Sequence, residues 1–171
     1  GTDEDLPQNS VITMIQTRDG YLWVGTLNGL ARFDGTRFVA FDESNTPELT
    51  SETITSLFED SHGNLWIGTQ NAGVLLARNG KLVSLDIGRG SPAGQVMSIC
   101  EDARGTVWLY TANGLLCRYR DGQVDVWNAG SDRPSRCRAL ALDDSGLLWI
   151  GTDVSLTALM PSADAKSPGL A

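Results

Sequence analysis

Three aspartates, Asp60, Asp102 and Asp143, each stand six residues before a tryptophan, and carboxylates are the usual means of general acid and base catalysis. Their common spacing points elsewhere. An aspartate that recurs at one place in every copy of a repeat serves the local backbone, where its carboxylate caps a turn. The single histidine, His62, falls in one of these turns, where the other copies carry Asp19, Arg104 and Ser145. It is therefore read as a solvated turn residue, and no Ser/His/Asp relay can be assembled around it. Of the three cysteines, Cys100, Cys117 and Cys137, none sits in a Cys-x-x-Cys or Cys-x-His pairing of the kind that holds zinc. Aligned on tryptophan, Cys100 matches Ile15, Phe58 and Ala141, and Cys137 matches Val11, Ile54 and Val96, so these two read as small buried hydrophobes, as does Cys117 beside Leu115 and Leu116 in a strand. The residues predict no enzyme, no metal and no cofactor.

The chemistry left to the chain is binding. Asn9, Asn28, Asn45, Asn71, Arg89, Asn113, Arg133 and Arg136 all fall in turns or linkers. Carboxamides and guanidinium groups present paired donors that suit sugar hydroxyls or carboxylates. Each is also an ordinary turn or loop residue, and the arginines carry more weight because a loop needs no arginine for its geometry.

The elements that position these residues follow from a repeat. Gly63-Asn64-Leu65-Trp66-Ile67-Gly68-Thr69 has counterparts around Trp23, Trp108 and Trp149, and the four tryptophans are 43, 42 and 41 residues apart. That is the period of a four-stranded propeller blade. The expected fold is all-β, four four-stranded antiparallel blades, the last lacking its outer strand. The boundaries are a lead-in at 1–10, blades at 11–53, 54–95 and 96–136, a partial blade at 137–160, and a flexible tail at 161–171. Both faces of a blade pack on neighbours, so Leu-Trp-Ile is apolar on both sides, and each tryptophan can seed one inter-blade core. Gly25, Gly68 and Gly151 are expected where a neighbouring strand comes close; the third copy has Tyr110 there instead. Asp34-Gly35, Asn79-Gly80 and Asp121-Gly122 predict type I′ hairpins between the third and fourth strands. In such a ring the blade-to-blade linkers and the second-to-third-strand turns share one face around the central channel. The candidate asparagines and arginines belong to that face.

Composition narrows the partners. With 13 Lys and Arg against 21 Asp and Glu the net charge is −8, and no basic patch stands out, which argues against nucleic acid. No apolar run approaches the roughly 20 residues of a membrane-spanning helix. Gly1 in place of an initiating Met is expected of a processed or engineered product from which any signal peptide is already gone.

Asp60 through Val74, with its acidic residue, turn glycine, Leu-Trp-Ile-Gly-Thr and following Gly-Val step, resembles the two-component regulator propeller repeat. Leu6-Pro7-Gln8-Asn9-Ser10-Val11 and Asn28 through Gly35 are similar to the first repeats of such proteins, and the likeness runs from residue 6 to about residue 160. The resemblance implies a periplasmic sensor module of a bacterial inner-membrane receptor, with a histidine kinase or diguanylate cyclase on its cytoplasmic side. It does not itself imply a ligand; members of the family are associated with carbohydrate fragments, and the partner expected here is a carbohydrate or another small molecule. The family usually builds seven blades where four are expected here, and no linker domain, membrane helix or signalling domain is read within these 171 residues. A fragment of a longer sensor, a four-bladed ring, and two chains closing one ring are the alternatives. Uncovered end blades would be sticky, which favours association of two chains. The corresponding functions are a ligand sensor or a protein-association platform.

Overall fold

The computed structural model describes residues 10–50, 53–87, 94–128, 137–160 and 169–170. Every regular element among them is a strand, and none of them forms a helix that could cross a membrane. The first sheet holds β1 (Val11–Gln16), β2 (Leu22–Thr26), β3 (Gly29–Phe33) and β4 (Phe38–Phe41). The second holds β5 (Ile54–Glu59), β6 (Leu65–Thr69), β7 (Val74–Arg78) and β8 (Lys81–Leu85). The third holds β9 (Val96–Glu101), β10 (Val107–Thr111), β11 (Leu115–Arg120) and β12 (Gln123–Asn128). The fourth holds β13 (Cys137–Leu142), β14 (Leu148–Thr152), β15 (Leu156–Met160) and β16 (Gly169–Leu170). Neighbours in sequence are neighbours in each sheet and run antiparallel, which is the order of propeller blades. Blade 4 has three full strands, as its sequence predicts. Its outer position holds only the two-residue β16, paired through Leu170 to Leu159 and Gly169 to Met160, so the expected tail contributes this short piece.

Register repeats as strictly as sequence. The tryptophan of the second strand faces Ile15, Phe58, Cys100 or Ala141 on the first strand. Each first strand shifts register once, between Val11 and Thr13, Ile54 and Ser56, Val96 and Ser98, and Cys137 and Ala139. A bulge at one place in every blade re-aims the start of the inner strand toward its neighbour. The Thr55 hydroxyl at the blade 2 bulge donates to the Val96 carbonyl of blade 3 at 2.8 Å, and the inner strands β1, β5, β9 and β13 contact one another in turn.

Two of the three expected I′ turns are present. Asn79 and Asp121 take φ of 51° and precede Gly80 and Gly122 at 73° and 82°. The turn at Asp34-Gly35 differs: only Gly35 has positive φ, and the Asp34 carboxylate instead caps the amides of Thr36 at 2.8 Å and Arg37 at 3.0 Å. The reason is length, since this connection runs from 34 to 37, and a longer loop takes an aspartate cap rather than a two-residue I′ turn.

The cores lie between blades. Trp66 is fully buried with Val96, Val107, Leu109, Cys117 and Val126 of blade 3, and Trp108 with Leu140, Leu148, Ile150 and Leu159 of blade 4. Trp23 packs with Ile15 and Phe41 against Leu65, Ile67 and Leu75 of blade 2. The tryptophan face of one blade thus meets the Leu/Ile face of the next. The motif glycines stand at this seam. A Cβ on Gly68 would lie 2.1 Å from Ser56 Oγ and 2.9 Å from Val96 Cβ, and one on Gly25 would lie 2.6 Å from Ile54 Cγ2.

The two end faces are uncovered among the described residues. Leu30, Val74, Leu116 and Leu156 hold equivalent places opposite Gly25, Gly68, Tyr110 and Gly151. The first three are 1%, 0% and 0% exposed, whereas Leu156 is 69% exposed. At the other end Met14 is 67% exposed, while its counterpart Leu57 packs into a core. Correspondingly, a Cβ on Gly151 would find only the Ala139 carbonyl, at 3.8 Å.

Candidate functional site

The recurrent aspartates are turn caps, and they also anchor the tryptophans. Asp60 accepts from the Trp66 indole at 2.9 Å, the Asn64 carboxamide at 2.8 Å, and the amides of Asn64 and His62 at 2.9 and 3.0 Å. Asp102 accepts from the Trp108 indole at 3.1 Å and the amides of Arg104 and Thr106. Asp143 accepts from the Trp149 indole at 2.7 Å, the Ser145 hydroxyl at 2.5 Å and two turn amides. In blade 1 the same position is Thr17, whose hydroxyl donates to Asp19 and the Tyr21 carbonyl. Burial acts to raise the Asp60 carboxyl, but hydrogen bonds from Asn64, Trp66 and the turn amides outweigh it and hold the group below the usual carboxylate range. The Ser145 hydroxyl first, then the Trp149 indole, hold Asp143 down to about 2. Asp60 and Asp143, held down in this way, have no proton to give at neutral pH. Burial, reinforced by Asp102, pushes the Cys100 thiol up to about 12, so it is no thiolate nucleophile. Cys117 is buried in a core, and the Cys137 side chain lies outside the described residues. No cluster of three or more metal-ligating side chains occurs among the described residues.

Of the residues expected to bind a ligand, four are placed. Asn45 is a turn former: its carboxamide oxygen accepts from the Asp42 amide and the Thr46 hydroxyl, and its nitrogen donates to the Ala40 carbonyl. Asn28, whose amide donates to Thr26 Oγ1, borders a shallow hollow of about 490 Å³ with Asp42, Glu43 and Ser44. Asn71 is exposed in the β6–β7 turn. Asn113 accepts from the Thr111 hydroxyl and stands against Gly94. Asn28, Asn71 and Asn113 therefore occupy the same turn of three successive blades. Asn9, Arg89, Arg133 and Arg136 lie outside the described residues.

The opposite face carries a feature that the sequence reading passed over. Between blades 2 and 3 a cleft of about 540 Å³ is lined by His62 and Arg78 of blade 2 and by Arg104, Tyr119 and Arg120 of blade 3. These side chains come from the first-to-second-strand turns and from the last residues of the third strands, β7 and β11, at the other strand ends from the asparagines. The blade 2 turn is tied to blade 3 by Glu101, whose carboxylate accepts from the Ser61 amide and hydroxyl, both at 2.6 Å. The signal available in sequence was difference between copies: Asp19, His62, Arg104 and Ser145 share one position, and Asp34, Arg78 and Arg120 another.

With the blade order, the indole anchors and the glycine seam in place, comparison with known proteins becomes decisive. The Two component regulator propeller family model matches residues 5–28 and 48–71. Those two segments match the two-component regulator propeller repeat. Comparison with curated proteins gives no match. Among solved structures, the repeats are similar to the extracellular domain of BT4673 from B. thetaiotaomicron, described as a one component system in one structure and a hybrid two component system in another. The first is 31% identical, with a TM-score of 0.76, covering 92% of this chain and 22% of that one. The second is 29% identical, with a TM-score of 0.76, covering 95% and 22%. The chain thus spans about a fifth of the BT4673 domain. Virginiamycin B lyase from Staphylococcus aureus shares the propeller fold at 15% identity and a TM-score of 0.66, covering 92% of this chain and 58% of that one. At that identity the likeness speaks for the fold alone. These blades therefore have extracellular domains of one- and two-component systems among their similar structures, and an enzyme at the level of fold.

Proposed function

We propose that these four blades belong to the extracytoplasmic, periplasmic sensor region of a two-component-type signalling receptor, and that they bind a small molecule without transforming it. The observation that carries this reading is the likeness, at 31% identity over 92% of the chain, to an extracellular domain of such a system. The commitment of Asp60, Asp102 and Asp143 to turns and indoles supports the non-catalytic part. The test is a thermal melt of the protein against a library of neutral and acidic mono- and oligosaccharides. A ligand at a hundredfold excess over its Kd is expected to add about 2.7 kcal/mol, a rise of several degrees in Tm. Release of product from any ligand that binds would overturn the non-catalytic part, and an unmoved Tm across the library would count against carbohydrate sensing.

A second reading, association of two copies, is favoured by one observation: Gly151 and Leu156 keep the residue types of an inter-blade seam where, among the described residues, no blade covers them. A second copy, offering its Met14 face, would cover them and close an eight-bladed ring with two-fold symmetry. Sedimentation equilibrium is expected to give twice the chain mass of 18.4 kDa, and a monodisperse monomer at all concentrations would overturn the reading.

A further inference from the structure

From the cleft between blades 2 and 3 we infer a binding site for a small molecule bearing an oxyanion, a carboxylate or a sulfate. The inference rests on the sensor reading and names its site and ligand chemistry. Arg78, Arg104 and Arg120 converge on one cavity, although the chain as a whole carries a net charge of −8. An anion is repelled by such a protein except where positive side chains are gathered, so gathered arginines mark the place where one can dwell. Two carboxylates also line the cleft, and both are already engaged, which leaves Arg78 and Arg104 to face a ligand. The oxygens of Asp60 are taken by the Trp66 indole, Asn64 and the turn amides. Asp121 faces Arg120 at 3.5 Å. Arg78 and Arg104 have no ion pair or side-chain hydrogen bond among the described residues.

The geometry fits a ligand of monosaccharide size. The cavity of about 540 Å³ is within the few hundred to a thousand cubic ångströms usual for small-molecule sites. Guanidinium groups offer paired N–H donors to planar or tetrahedral oxyanions. Tyr119 supplies an apolar wall, and its ring is held edge-on to Trp66 with centroids 4.9 Å apart. His62 adds a ring nitrogen, and its Cε1 lies 3.3 Å from where a Cβ on Gly105 would be, so the blade 2 turn rests directly on the blade 3 turn. The staple from Ser61 to Glu101 fixes the two halves of the cleft relative to each other. None of the other seams repeats this set: the blade 1 counterparts of His62 and Arg78 are Asp19 and Asp34, and the blade 4 counterpart of Arg104 is Ser145.

The experiment is isothermal titration of the chain at low ionic strength with galacturonate, glucose 6-sulfate, galactose and glucose. It is run on the unaltered protein, on the double variant Arg78→Ala/Arg104→Ala, and on Arg37→Ala, an exposed arginine of blade 1. Far-UV circular dichroism checks that each variant is folded, and Arg120→Ala serves as a second cleft variant. Expected is saturable binding of at least one acidic sugar, at least tenfold weaker in the double variant and unchanged in Arg37→Ala, with both neutral sugars silent. Which acid binds distinguishes carboxylate from sulfate. Acid binding that ignores Arg78, Arg104 and Arg120 would overturn the cleft and leave the sensor reading standing. Absence of binding by both acids would also overturn it, and the sensor reading would then be decided separately by the melts against the wider library.

Discussion

Trp66→Ala is expected to cost about 3–5 kcal/mol of stability, the usual range for truncating a large buried aromatic. The residue is 0% exposed, its indole N–H is satisfied by Asp60, and its ring packs edge-on to Tyr119 of the following blade. Truncation empties one seam of its largest side chain and strips Asp60 of a donor. Trp149→Ala is expected to cost about 1 kcal/mol in the monomer, because its face is uncovered even though its indole makes the same bond, at 2.7 Å, to Asp143. Urea unfolding at concentrations below any self-association measures both. Equal costs would mean that burial by the following blade is not what gives the motif tryptophan its worth.

The second large effect is at Gly68. An alanine there would drive its Cβ to 2.1 Å from Ser56 Oγ and 2.9 Å from Val96 Cβ, one on the same blade and one on the next. The serine can turn away; the valine is fully buried at the start of β9 and cannot. Overpacking of this kind costs about 1–3 kcal/mol, and Gly68→Ala is expected near the upper end. Gly151→Ala is expected within about 0.5 kcal/mol of neutral in the monomer, since its nearest neighbour would be a carbonyl oxygen at 3.8 Å. A thermal melt of each variant distinguishes them. A Gly68→Ala protein that melts with the unaltered one would mean that the strands do not approach as closely as the seam requires.

Much of this architecture is legible in the chain because a propeller repeats its local chemistry. The four tryptophans fix the register, and the turns at Asn79-Gly80 and Asp121-Gly122 adopt the conformation their residues demand. Where a local signal had two physical outcomes, sequence was insufficient: Asp34-Gly35 could serve as a I′ turn or as an aspartate cap, and the length of the connection decided for the cap. Bonds between blades are harder to see. Glu59 accepts from the Arg18 amide and Glu101 from Ser61, each about one repeat away, yet in sequence both glutamates look like solvated strand ends. The carboxylates of Asp60, Asp102 and Asp143 were legible as caps, but not as indole acceptors, because a six-residue spacing acquires meaning only once the turn brings the strand back. The arginine cleft was missed for a related reason. Arg78, Arg104 and Arg120 each look like an ordinary surface charge, and only the stacking of blade 2 on blade 3 brings them around one cavity. The asparagines drew attention to the other face, where Asn45 proved to be occupied with its own turn.

The covered cores, the cleft and the uncovered ends all depend on consecutive blades meeting where Gly68 faces Val96. A double-mutant cycle on Gly68→Ala and Val96→Ala, read by urea unfolding, measures that contact directly. Trimming the valine removes its Cγ1, which would also lie 2.9 Å from the added methyl, so the methyl should be partly accommodated and the pair less destabilised than the sum of the singles by about 1 kcal/mol or more. Costs that add within about 0.3–0.5 kcal/mol would show that the two residues do not meet, and would contradict the blade-on-blade seam.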